Sequence, residues 1–169
     1  MTHPRDAHEG ERLRRGYETM LHRARTALAE HLPTVREAVD HAKEKAVELG
    51  ELTREEAERV REYLRRDLED AGAYLADTRR EFADWLHLER DLIESRLLDS
   101  MAALADQTRL EYEKLAVQAQ RAGERHTGEV VGPGTLRCTQ CDERLQFRES
   151  GHVPPCPRCH GTTFRRASR

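Results

Sequence analysis

Apolar residues recur at spacings of three and four from residue 9 to about residue 31, at Leu13, Tyr17, Met20, Leu21, Ala24 and Leu28. That periodicity predicts a first amphipathic helix. Residues 1–8 are polar and read as a disordered tail. Pro33 interrupts the pattern and suits the first turn of a second helix carrying Val35, Ala38, Val39, Ala42, Ala46 and Val47, which Gly50 ends. Thr53-Arg54-Glu55-Glu56 is a capping box: the Thr53 hydroxyl and the Glu56 carboxylate each suit an orphan backbone donor at a helix start.

From Thr53 to about Ala105 only Gly72 interrupts helix-forming residues. Leu68, Leu75 and Phe82 recur every seven positions, and Ala71, Thr78, Trp85 and Leu92 follow three places on. This a/d seam loses regularity at Glu89 and Arg96. One helix cannot bury it, so an antiparallel coiled-coil hairpin, a small bundle or a homodimer through the helices is expected. A break is expected near Asp99-Ser100 or Asp106, then a last helix with Leu110, Leu115 and Val117 running to about Gly123.

The pattern changes after residue 125. Thr127 to Gly134 places two valines between glycines, a short strand and turn. Leu136-Arg137-Cys138, Leu145-Gln146-Phe147 and Thr162-Thr163-Phe164 predict three further short strands. The expected fold is mainly α over residues 9–123, followed by a small β zinc ribbon over residues 126–166.

The chemistry lies in Cys138, Cys141, Cys156 and Cys159, the only cysteines in 169 residues. Their C-x2-C-x14-C-x2-C spacing lets two tight loops face each other and complete a tetrahedral set of four thiolates, predicting one structural Zn²⁺ per chain. Iron in a rubredoxin-like site is the alternative, since its ligand geometry is nearly the same. Cys156 to His160 also matches the haem-attachment pattern, but that would strand the other two cysteines. From His126 onward the sizeable apolar residues are Val130, Val131, Leu136, Leu145, Phe147, Val153 and Phe164, too few to hold a free-standing domain. The metal is expected to be the module's main stabiliser. The helices contain no cysteine and are expected to pack without reference to it.

Charge and composition limit what else the chain can be. With 36% charged and 5% aromatic residues it favours solvated helices over a bulky core. The polar start, Met1 to Arg15, and the lack of any long apolar run predict a cytoplasmic protein with no membrane span. Residues 126–169 hold seven arginines and four acids, whereas residues 1–125 hold 22 basic and 28 acidic groups. Four thiolates on one Zn²⁺ offset most of the local positive charge. That balance argues against a broad duplex-binding surface but leaves a local patch of Arg144, Arg148, Arg158, Arg165 and Arg166 as candidate nucleic-acid contacts.

Several of these residues together resemble the YbeL-like family of bacterial zinc-ribbon-containing proteins: His126, Gly128-Glu-Val-Val-Gly132, Gly134, Leu136, Cys138, Cys141, Cys156-Pro157, Cys159 and Phe164. Weaker agreement runs through Gly50-Glu-Leu-Thr53, Arg65-Arg-Asp-Leu68 and Asp106 to Tyr112. His160 departs from the family pattern, which has glycine after the fourth cysteine. The resemblance implies helices joined to a zinc-binding ribbon, and implies no activity.

No phosphate-cradling loop or activated nucleophile is evident, and Asp84-x-x-His87 lacks the partners a helical metal site needs. The expectation is a non-enzymatic interaction protein whose partner is another protein. The alternative is a nucleic-acid or transcription-machinery binder. In layout only, the chain resembles bacterial transcription factors that insert a coiled coil into RNA polymerase, with Glu51, Asp99 or Asp106 as acidic tip candidates.

Overall fold

The computed structural model describes residues 4–30, 32, 34–78, 95–115 and 124–167. Among them are four helices, α1 (Pro4–Glu30), α2 (Val35–Glu48), α3 (Arg54–Thr78) and α4 (Ser95–Leu115). Six strands follow: β1 (Arg125–His126), β2 (Val130–Val131), β3 (Gly134–Cys138), β4 (Arg144–Phe147), β5 (Gly151–His152) and β6 (Thr163–Arg166).

Helix boundaries follow local chemistry. α1 begins at Pro4, so residues 4–8 of the expected tail are helical; proline suits a first turn because its missing N–H has no partner there anyway. α2 starts two residues after Pro33, capped by the Thr34 hydroxyl, which accepts from the Glu37 N–H. It ends in a Schellman turn: Glu51 N–H bonds Ala46 C=O, Gly50 N–H bonds Val47 C=O, and Gly50 takes φ +69°. The capping box forms reciprocally, Glu56 N–H to Thr53 Oγ1 at 3.2 Å and Thr53 N–H to Glu56 Oε2 at 2.9 Å. The break expected near Asp99-Ser100 or Asp106 does not occur. α4 runs through all three residues, and Ser100 is buried in it.

The helices share one core. Leu13, Tyr17, Met20, Leu21 and Ala24 of α1 meet Ala38, Val39 and Ala42 of α2, Val60, Leu64 and Leu68 of α3, and Leu97, Met101 and Leu104 of α4. A satellite cluster of Ala71, Leu75, Leu98 and Ala105 extends the α3–α4 contact. The fold is thus a small bundle, and Leu68, Ala71 and Leu75 are buried within one chain. The seam beyond Thr78 (Phe82, Trp85 and Leu92), the Asp84/His87 pair, and Val117 and the helix end at Gly123 lie outside the described residues. Ion pairs tie the polar faces together. Arg23 and Glu51 form a two-point contact at 2.6 Å, which takes up Glu51, one of the acidic tip candidates. Arg61–Asp40 and Lys43–Glu58 join α2 to α3. Pairs this exposed contribute at most about 1 kcal/mol each.

The ribbon is a four-stranded antiparallel sheet in the order β1-β6-β3-β4, with a separate β2–β5 pair. β1 and β5 were not foreseen. One sheet face is polar; the other buries Leu136, Cys138 and Phe164 with Val131, Val153 and Cys156. Val130 points the opposite way, into the helical core.

Candidate metal centre

The two cysteine loops have the same backbone. In each, the residue after the second cysteine returns its N–H to the first cysteine's carbonyl: Asp142 to Cys138 at 3.1 Å and His160 to Cys156 at 2.9 Å. The first cysteine's own N–H bonds the carbonyl two residues beyond the second, Cys138 to Glu143 and Cys156 to Gly161, both at 2.9 Å. Closing so tight a loop drives the intervening residue left-handed, and Asp142 and His160 have φ of 57° and 59°. That explains the glycine the family pattern carries at the second position. His160 keeps the conformation at some cost in strain.

The four sulfurs converge. Cys138 Sγ lies 3.5 Å from Cys159 Sγ, Cys141 Sγ lies 3.5 Å from Cys156 Sγ, and all four fall within 4.8 Å of one another. A tetrahedron with metal–sulfur bonds of about 2.3 Å has edges of about 3.8 Å, so the set fits a four-thiolate zinc site. Backbone N–H groups of Glu143 and Gly161 point at the sulfurs of Cys141 and Cys159. At Cys156 burial opposes ionisation, yet the N–H groups of Cys159 and Arg158, with hydrogen bonds from the Cys141 and Cys159 thiols, prevail and bring the thiol down to about 7. All four cysteines are free thiols, with no disulfide among them. With four thiolates present, no protein-free coordination position remains.

The module is fastened to the bundle through buried charge. Asp67 of α3 is fully buried and receives Arg125 from β1 at 3.0 Å, Arg166 from β6 at 3.1 Å, the Gly132 N–H at 2.7 Å and the Tyr17 hydroxyl at 2.8 Å. Arg125 also reaches Asp70 at 2.6 Å. Burial disfavours the Asp67 charge, but Arg166, Arg125, Gly132 and Tyr17 hold it below the usual carboxylate range. Asp70 has fewer partners, and burial pushes it up to about 6. Burial, then Asp67, raises the Tyr17 phenol well above its ordinary value.

This contact also accounts for the Gly-Glu-Val-Val-Gly lead-in. Glu129 pairs with Arg66 of α3 at 2.8 Å, Val130 enters the helical core and Val131 the ribbon core. A side chain at Gly132 would come within 2.7 Å of the Tyr17 hydroxyl. On the far side, Ser150 donates to Glu18, and a His152 ring nitrogen lies 2.6 Å from the Gly10 carbonyl.

Four of the five candidate arginines face solvent. Arg144 and Arg148 are exposed on and just after β4, Arg158 reaches the Cys141 carbonyl at 3.5 Å, and Arg165 pairs with Glu124 at 2.9 Å. Arg166 does not belong with them. Its guanidinium is turned inward onto Asp67 and the carbonyls of Gly132 and Pro133, so it serves the fold. Arg144 and Arg165 come together through Arg137, which the charge pattern did not single out.

A family model described as a zinc-ribbon containing domain matches residues 22–168. The protein called uncharacterized protein YbeL, in three strains of Escherichia coli, is 31% identical over 128 residues, covering 76% of this chain and 79% of each relative. No solved structure matches.

Proposed function

The chain belongs to the zinc-ribbon containing domain family, and from that footing we propose that it is a non-enzymatic, zinc-stabilised interaction protein of the cytoplasm. Its helix-and-ribbon unit presents a surface to another macromolecule. The observation that carries this reading is the closed coordination set: four convergent thiolates leave the metal no position for substrate or water, so the ion stabilises and does not react. One zinc is bound per chain, and iron in its place would give the same architecture with visible charge-transfer absorption. No described helix is long and apolar enough to cross a membrane. The test is affinity capture on the metal-loaded chain from native cytoplasm, with and without nuclease treatment. A macromolecule retained reproducibly supports the reading; catalytic turnover by the purified protein, or no retained partner of either kind, overturns it.

A further inference from the structure

Three arginines stand in one line across the polar face of the ribbon sheet. The register sets Arg137 of β3 directly opposite Arg144 of β4 and, on its other side, directly opposite Arg165 of β6. Residues opposite one another project from the same face, and strands lie about 4.8 Å apart, so the row is about 10 Å long. Like charges in that relation destabilise a sheet. Little on this face relieves them: Glu124 pairs with Arg165, but Arg137 and Arg144 form no ion pair with any described residue. The Arg137 Nε is shielded from water and lacks a hydrogen-bond partner among the described residues. Solubility does not require the row, because the exposed neighbours on this face, Gln146 and His126, are polar without a pair of like charges.

We propose that this row is a docking face for the phosphodiester backbone of a single nucleic-acid strand. The inference rests on the interaction reading above and names its partner. A line of phosphates supplies the counter-charge that the row lacks. The footprint must be narrow, because residues 1–125 carry 28 acidic against 22 basic groups and a duplex reaching past the sheet would meet that excess. The polar rungs present no phenylalanine, tyrosine or tryptophan, so bases find no stacking platform and binding follows charge, not sequence.

The experiment is fluorescence anisotropy of the metal-loaded full chain with labelled oligothymidylate and oligoadenylate of equal length. Three neutralised phosphates give a slope of about −2 in log affinity against log salt, a loss of roughly 20-fold between about 50 and 200 mM. Both oligomers bind alike. Arg137→Ala lowers the slope to about −1.4 with zinc content unchanged. Arg137→Glu abolishes binding while raising the melting temperature, since it places an acid between two arginines; a merely structural role would lose both together. No binding at about 50 mM salt, or an unaltered slope in Arg137→Ala, overturns the inference. A nuclease-resistant protein partner lost on Arg137→Glu assigns the face to an acidic protein. That outcome also overturns the inference and leaves the interaction reading standing.

Discussion

Arg125 and Asp67 lie 58 positions apart in the chain, both fully buried, with guanidinium and carboxylate 3.0 Å apart. One belongs to the ribbon's first strand and the other to α3. Removing the cation leaves two buried carboxylates short of counter-charge, a loss of about 3–5 kcal/mol for a pair this enclosed. Arg125→Met is expected to destabilise the protein by that amount in denaturant titration. Arg125→Lys restores only part of this, because an ammonium lacks the second donor, the Nε that Arg125 places 3.3 Å from Asp67. A loss under about 1 kcal/mol for the methionine variant contradicts this account.

Metal removal tests the same connection from the other side. The ribbon supplies Arg125, Arg166, Gly132 and Val130 to the bundle, so the structure ties the helices to the metal-bearing part more closely than the sequence suggested. Chelation, or Cys156→Ser, is expected to unfold the ribbon and also lower the helical melting temperature by roughly 6–12 °C, equivalent to about 3 kcal/mol. Circular dichroism at 222 nm reads the helices and amide NMR reads the ribbon. A helical transition unmoved by chelation shows the two parts to be independent.

Asp70 gives a pH signature. Its folded value of about 6 lies above the unfolded value of about 4, so the folded state binds the extra proton between them. Stability from this group therefore falls as pH rises through that window. Asp67 acts oppositely: its folded value is depressed, and its contribution is lost only as pH falls through that lower value. Arg125, Arg166, Asp67 and Glu69 are the charges acting on Asp70. Carboxyl NMR is expected to place the Asp70 midpoint near 6, and Asp70→Asn to remove the slope; a midpoint near 4 counts against burial as the dominant cause.

His160 holds a left-handed backbone that glycine adopts freely. His160→Gly is expected to stabilise the ribbon by about 0.5–1 kcal/mol, and Asp142→Gly by less, since aspartate tolerates that region better. Metal-release midpoints under competing chelator provide the measurement, and weaker retention in His160→Gly is the contrary result.

Leu75 is buried with Ala71, Leu98 and Ala105. Leu75→Asp is expected to cost more than about 3 kcal/mol through lost packing and an unpaired charge. An unchanged melting temperature argues against the α3–α4 contact.

Legibility in the sequence tracked the range of the interaction. Thr53 with Glu56, Gly50, and the paired cysteines act over two to five residues, so spacing alone revealed them. Asp67, Asp70 and Arg125 looked like any other charges in a chain that is 36% charged, because their burial arises from strands and helices 55 or more residues apart. Arg166 misled for the same reason. Arg165 and Arg166 are neighbours, and strand alternation sends one outward and the other onto Asp67. Asp99, Ser100 and Asp106 suggested breaks by residue type, whereas Leu97, Met101 and Leu104 hold α4 continuous by packing into the bundle. The one family-level hint of the contact between ribbon and bundle was the Gly-Glu-Val-Val-Gly run, whose meaning emerged only with Tyr17 and Asp67 against Gly132.

Val130 and Val131 are adjacent yet feed different cores. Strand residues alternate sides at every step, so lengthening or shortening the chain by one residue just before them would exchange their destinations. The lead-in thus fixes phase as well as distance, and substitutions are tolerated there more readily than indels. It also makes the ribbon a poor transplant: a graft cut at residue 125 would carry the metal ligands away with Val130 bare and Arg166 deprived of Asp67.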